Sequence, residues 1–303
     1  MGHDQRFKEF LQAFLRDFLQ LFFPDVERRL DFGNVEFLDK EVFTDFPEGS
    51  SRRADVVAKL ATHDGKPELV LIHVEVQASH NKEFPARMFE YYALLWARYK
   101  IPVFPIVVYL YGGREGHEGH EGHEGLTTEE YRIHLFEDEI LRFRYRCVEL
   151  ARLDVEEYRR GVGPVGAALG ALMDSSRTPE RAELRVSLLM EVIESGLDEA
   201  RQLLLGNLIE NYLELSAAEW ERYGRLVARE EYRKVQDVEL DWQDRAELKG
   251  KHEALLILLE AKFGPLGEGT TARVRALVSP VAVDAFLERV LTAGSLDEME
   301  LDG

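Results

Sequence analysis

Residues Glu68–Ser79, ELVLIHVEVQAS, constrain the fold of this chain more than any other stretch. They read as a buried strand. Side chains along a strand alternate between faces, so Val70, Ile72, Val74 and Val76 share one face and His73, Glu75 and Gln77 the other. Leu69 and Leu71 stand on the same side as the three polar residues, so that side is at least partly covered. A covered carboxylate is costly unless it is paired or hydrogen-bonded. The strand therefore asks for a partner to Glu75.

The surrounding sequence supplies the rest of an α/β core. In Gln5–Phe23, residues Phe7, Phe10, Leu11, Phe14, Leu15, Phe18 and Leu21 follow the spacing of a buried helical stripe, and Pro24 ends it. Strands are expected over Asn34–Phe43 and Arg52–Ala61, with the turn PEGSS between them. Thr62–Glu68 contains Asp64-Gly65, a strong hairpin signal. Glu83–Lys100 has helical spacing through Phe84, Met88, Tyr91, Leu95 and Tyr99. Pro102–Tyr111 is apolar on both faces, as a central strand would be. Leu69–Tyr111 is thus expected to form a right-handed parallel crossover. Phe143–Leu150 alternates like a further strand. From Thr178 onward the chain is Leu- and Glu-rich and helical in character. Gly161–Gly170, GVGPVGAALG, marks a boundary or a closely packed helix. The expected organisation is an α/β domain over 1–153 and a helical C-terminal region over 154–303.

Composition narrows the function. With 303 residues, 45% of them hydrophobic, the chain can build a large core. Its formal net charge of −19 argues against coating nucleic acid through bulk charge, yet leaves room for an acidic site that needs a divalent metal before a phosphate can approach. The single cysteine, Cys147, rules out an intramolecular disulfide framework and a Cys-rich zinc site, and fits a reducing cytosol. Neither a secretory signal nor a membrane-spanning run is visible, so a cytoplasmic protein without a membrane partner is expected.

Hairpin arithmetic supplies the partner. With Asp64 and Gly65 as central turn residues, paired positions sum to 129 and Asp55 lies opposite Val74. One extra loop residue brings Asp55 opposite Glu75. Cross-strand neighbours are about 5 Å apart at Cβ, and two carboxylates that close need a cation, a proton or a basic group between them. A hard divalent ion, Mg²⁺ or Mn²⁺, is the natural occupant. It would lower the pKa of a bound water and neutralise charge developing on a phosphate. Gln77, one pleat along, is placed to hydrogen-bond that water or a phosphate oxygen, although it cannot act as a cation or a base. His73 shares the face; a structural hydrogen bond suits it better than ligation of a hard metal. Taken without a metal, Asp55 and Glu75 are simply two acids of an exposed hairpin.

Asp55 followed by Glu75-Val76-Gln77, set in the order helix, three strands, helix, strand, resembles the PD-(D/E)xK nuclease superfamily. RRADVVAKL, LIHVEVQ, FPARMFEYYALLWARY and PVFPIVVYLYGG resemble, more closely, the bacterial family of recombination-promoting nucleases and transposase-like proteins. The resemblance covers roughly Phe7–Leu150, and the tail ELKGKHEALLILLEAKFGPL resembles the helical end of many members. It implies a restriction-endonuclease-like core with a mixed central sheet and metal-dependent DNA endonuclease activity. Asp55, Glu75 and the Val76 main-chain carbonyl would be metal ligands. Gln77 would occupy the position of the superfamily lysine, where members of this branch often have Gln. Ala54 stands where the signature has proline, and an additional acid would come from Glu9 or Glu41. The alternative is a catalytically weak or inactive nuclease fold acting as an interaction module.

Other features sort by chemistry. Arg52, Arg53, Lys59, Lys82, Arg87 and Arg98 are candidate phosphate contacts or ordinary surface charge. Arg53, Lys82 and Arg87 are the choices for nucleic-acid binding, and Arg87 shares a helical face with Tyr91. Gly113–Leu126 repeats Gly-His-Glu; His117, His120 and His123 could bind zinc or nickel, but Gly at every third position offers no rigid scaffold. The leucine-rich tail, with Leu255, Leu256, Leu258 and Leu259, suits intrachain packing or a homo-oligomer contact.

Overall fold

The computed structural model describes residues 3–38, 56–65, 68–77, 81–110, 125–158, 163–176, 178, 180–275, 277 and 280–299. Asp55, Glu41, Arg52, Arg53 and the three histidines of the Gly-His-Glu run lie outside the described residues. The chain divides into two compact units, Met1–Leu226 and Val227–Gly303.

The first unit opens with α1 (His3–Ala13), α2 (Leu15–Phe22) and α3 (Pro24–Glu27). One helix was expected here; the chain instead bends at Phe14, whose φ of −129° and ψ of 28° leave the helical region. The bend costs little, because Phe14 and Phe18 still donate to the carbonyls of Phe10 and Phe14 at 2.9 Å. It keeps Phe7, Phe10, Leu11, Phe14, Phe18 and Leu19 all buried.

The sheet follows: β1 (Leu30–Phe37), β2 (Val56–Thr62), β3 (Leu69–Gln77), then helix α4 (Phe84–Tyr99), β4 (Val103–Tyr109), β5 (Leu126–Leu135) and β6 (Asp138–Glu149). The strand order is β1-β2-β3-β4-β6-β5. β1, β2 and β3 pair antiparallel; β3, β4 and β6 run parallel; β5 pairs antiparallel with β6. This is a mixed six-stranded α/β sheet. β1 starts four residues earlier than expected, because buried Leu30 pairs with Thr62 and begins the strand. The β2–β3 register is shifted by one from the tight turn: Val56 pairs with Val74 and Ala61 with Leu69, so paired positions sum to 130. After β2, Gly65 takes a positive φ of 64° and donates to the Thr62 carbonyl.

Helix α4 covers one face of the sheet. Tyr91 and Leu95 pack on Val57 and Leu71, while Phe84 and Met88 pack on Val107, Tyr109, Phe143, Tyr145 and Cys147. Its start is fixed by Asn81, whose side chain accepts from the Glu83 N–H at 2.9 Å. Its end is a left-handed Lys100 two residues before Pro102, with the Lys100 ammonium 4.2 Å from the centre of the Trp96 ring. On the opposite face Val56, Ala58, Leu60, Ile72, Val74 and Val76 are buried, and Phe23 meets Phe104 edge-on at 5.7 Å.

The strands end at Glu149, and the rest of the unit is helical: α5 (Val155–Tyr158), α6 (Pro164–Gly170), α7 (Arg181–Ile193), α8 (Glu199–Tyr212) and α9 (Ala217–Val227). Within GVGPVGAALG, Gly170 serves close packing: a Cβ on it would come within 3.1 Å of Val155 and 3.3 Å of Leu188. Ser216 and Glu219 close the start of α9 as a reciprocal cap, the Ser216 N–H and hydroxyl both donating to the Glu219 carboxylate at 2.7 Å. These bonds hold the Glu219 carboxyl below its usual range, the backbone bond most of all. Its contribution is therefore present above the ordinary Glu pKa of about 4.3 and is lost as pH falls through the lowered value. Thermal melts on the acid side should show a flatter pH dependence in Glu219→Gln than in the wild type; superimposable profiles would contradict this.

The second unit is built from α10 (Arg233–Phe263), α11 (Glu268–Arg275) and α12 (Pro280–Thr292). Leu255 and Leu259 of α10 pack on Val274, Val283 and Val290. Lys262 donates to the Val290 and Leu291 carbonyls at 2.7 and 3.1 Å, which satisfies the end of α12. No helix among the described residues is long and apolar enough to cross a membrane.

Candidate functional site

The carboxyl ends of the three parallel strands carry a polar cluster on the α4 face. Register explains why. Glu75 of β3 pairs with Val107 of β4, which pairs with Cys147 of β6; one pleat on, Gln77 pairs with Tyr109, which pairs with Glu149. Gln77, Tyr109 and Glu149 thus form one row across three strands, in a region where open α/β sheets commonly bind ligands.

Glu75 is 3% exposed and His73 is 0% exposed. His73 Nε2 lies 3.0 Å from Glu75 Oε1. An ionised Glu75 accepts here from the ring N–H. The ring is set against Tyr91 of α4, edge-on with centroids 5.6 Å apart. His73 therefore orients the Glu75 carboxylate, as expected of a structural histidine. Its Nδ1 is buried and has no hydrogen-bond partner among the described residues.

Gln77 is held from two sides. Its Nε2 donates to the Val76 carbonyl at 2.8 Å, and its Oε1 accepts from Arg87 Nη2 at 3.0 Å. Arg87 sits in the first turns of α4 with its guanidinium 5.2 Å from the centre of the Phe84 ring. Its Nε is buried and unpartnered among the described residues. Of the expected site residues, the fold therefore brings together Glu75, Val76, Gln77 and Arg87. Lys82 lies exposed just before α4, with no contact to this cluster among the described interactions. Glu9 is half-buried on α1. Asp55 and Arg53 lie outside the described residues. Among the described residues, no three His, Cys, Asp or Glu side chains group so that they could hold a metal ion.

Comparison of the chain with protein-family models, with curated proteins and with solved structures finds no match. The site must therefore be read from its own chemistry.

Sequence reasoning missed its outer half. Glu129 of β5, 7% exposed, accepts from the hydroxyl of Tyr109 at 3.3 Å and from that of Tyr145. Glu149, 6% exposed, accepts from Thr127 Oγ1 and from Arg152 Nη1, each at 3.4 Å. Each buried carboxylate is thus matched by hydroxyl or guanidinium donors. The one signal available was spacing: Tyr109 lies two residues past Val107, and Tyr131 two past Glu129 in LTTEEYRIHL, so each pair shares a face of its strand.

Proposed function

We propose that this cluster is the active site of a metal-dependent phosphodiesterase acting on DNA, built on a restriction-endonuclease-like core. One observation carries the reading. Val56, which follows Asp55 in sequence, pairs with Val74, which precedes Glu75. This is the register that a two-carboxylate site from these positions requires. Asp55, Glu75 and the Val76 carbonyl would hold Mg²⁺ or Mn²⁺, and the all-oxygen donor set suits such hard ions. The ion, when bound, supplies Lewis acidity toward a phosphate oxygen.

The chain's own residues have separable tasks. His73 fixes one oxygen of Glu75, which limits the rotamers the carboxylate can adopt. Gln77 occupies the position of the superfamily lysine and carries no charge. Arg87 brings a cation to that position: one of its nitrogens is spent on Gln77, and the guanidinium has further donors to offer a phosphate. A lysine at 77 would face this guanidinium with like charge, which explains the compatibility of Gln77 with Arg87 in this chain.

A second reading has its own support. The Gln77 amide already occupies the Val76 carbonyl, as suits an inactive nuclease fold that serves as an interaction module. Plasmid DNA with Mg²⁺ or Mn²⁺ separates the two. Wild-type protein should nick or cut it and Asp55→Asn should not; equal cleavage by both, or none by either, would reject the enzymatic reading.

A further inference from the structure

The sheet face opposite α4 bears a second, cationic feature. On it Thr128 pairs with Arg146, Glu130 with Arg144 and Arg132 with Arg142. Glu130 accepts from Arg132 Nε and from Arg144 Nε, each at 2.8 Å. Glu139 accepts from Arg142 Nε and Nη2, each at 2.9 Å. Arg146 donates to Thr128 Oγ1 at 3.0 Å and meets no carboxylate among the described residues. Arg132, Arg142 and Arg144 therefore share two carboxylates and Arg146 has none, which leaves surplus positive charge on one face of a chain whose net charge is −19. Such a local excess attracts anions that the molecule as a whole repels.

The charge borders a cavity. A groove of about 300 Å³ is lined by Phe104, Pro105, Thr128, Arg144, Tyr145 and Arg146. Phe104 also lines a neighbouring groove of about 360 Å³, mostly apolar, with Val26, Leu30, Val70 and Val103. Asp25 and Arg29 line it too, and each has an ion-pair partner, Arg28 and Asp64 respectively. One groove thus offers guanidiniums and a hydroxyl, the other apolar walls, and a single aromatic ring borders both.

We propose that the two grooves form one site for a nucleoside phosphate. Arg144, Arg146 and Thr128 hold the phosphate, with Arg146 the principal donor because no carboxylate competes for it. The flat base lies against Phe104 in the apolar groove, where aromatic stacking is indifferent to base identity. This site is on the other side of the sheet from Glu75 and does not rest on the phosphodiesterase reading.

Calorimetric titration of the full chain with ADP, GDP, CDP and UDP, and with pyrophosphate, tests it. At least one nucleoside diphosphate should bind saturably at one site per chain. The double variant Arg144→Ser/Arg146→Ser should weaken that binding at least tenfold, with its circular dichroism spectrum unchanged. Phe104→Leu should weaken the nucleoside diphosphate but not pyrophosphate. Absence of saturable binding by all four would overturn the proposal, as would affinity that survives the double arginine variant. Equal affinity for pyrophosphate and nucleoside diphosphate, insensitive to Phe104→Leu, would overturn the base-binding half. Tight binding of a short single-stranded oligonucleotide with no binding of diphosphates would reassign the face to a polyanionic strand.

Discussion

Glu75→Gln is expected to lower metal-dependent DNA cleavage at least about a thousandfold while leaving the protein folded. The substitution is nearly isosteric, and the amide oxygen can still accept from His73 Nε2, so the buried bond at 3.0 Å survives. What disappears is the negative charge. A bound divalent ion contributes several kcal/mol to stabilising charge on a phosphate, and each 1.4 kcal/mol or so is a factor of about ten in rate. Loss of Mn²⁺ binding by calorimetry should accompany the loss of cleavage. Full cleavage by Glu75→Gln would remove this carboxylate from the mechanism. Cleavage lost with Mn²⁺ affinity intact would leave Glu75 a role other than ligation.

Phe84→Ala is expected to be the most damaging single change to the scaffold of the site. Phe84 is 1% exposed, with Tyr109 and Tyr145 each 6.1 Å away between ring centres. Deleting a buried Phe side chain typically costs about 3–5 kcal/mol, against a total stability of roughly 5–15 kcal/mol for a domain. The urea midpoint read by circular dichroism should fall accordingly. The change also removes the ring beside the Arg87 guanidinium, so the hold on Gln77 should slacken. A midpoint equal to that of wild type would show that α4 is anchored elsewhere, through Tyr91 and Leu95.

How much of this was legible follows from burial. The β3–α4–β4 unit was plain in the sequence because its strands are buried on both faces and its helix repeats an apolar stripe, Phe84, Met88, Tyr91 and Leu95. The polar exceptions His73, Glu75 and Gln77 stood out for the same reason. β5 was illegible. Its outer half, from Arg132, is exposed, so no alternation of apolar and polar residues is imposed on it. Its two-residue turn is Phe136-Glu137, with Phe136 at a φ of 55°, where Asn or Gly would have given a signal. Glu129 and its tyrosines were lost with it. The extra residue in the β2–β3 loop was anticipated only as an option, since loop length cannot be fixed by a dipeptide.

The position of β3 has a kinetic consequence. Its pairing with β2 closes a short loop, whereas its pairing with β4 must wait for α4, and the β4–β6 pairing spans still more chain. Loop-closure entropy makes such distant parallel pairings slow. The row Gln77, Tyr109, Glu149 exists only after both have formed, so the chain should bring these polar side chains together last, once apolar neighbours have already shut out water.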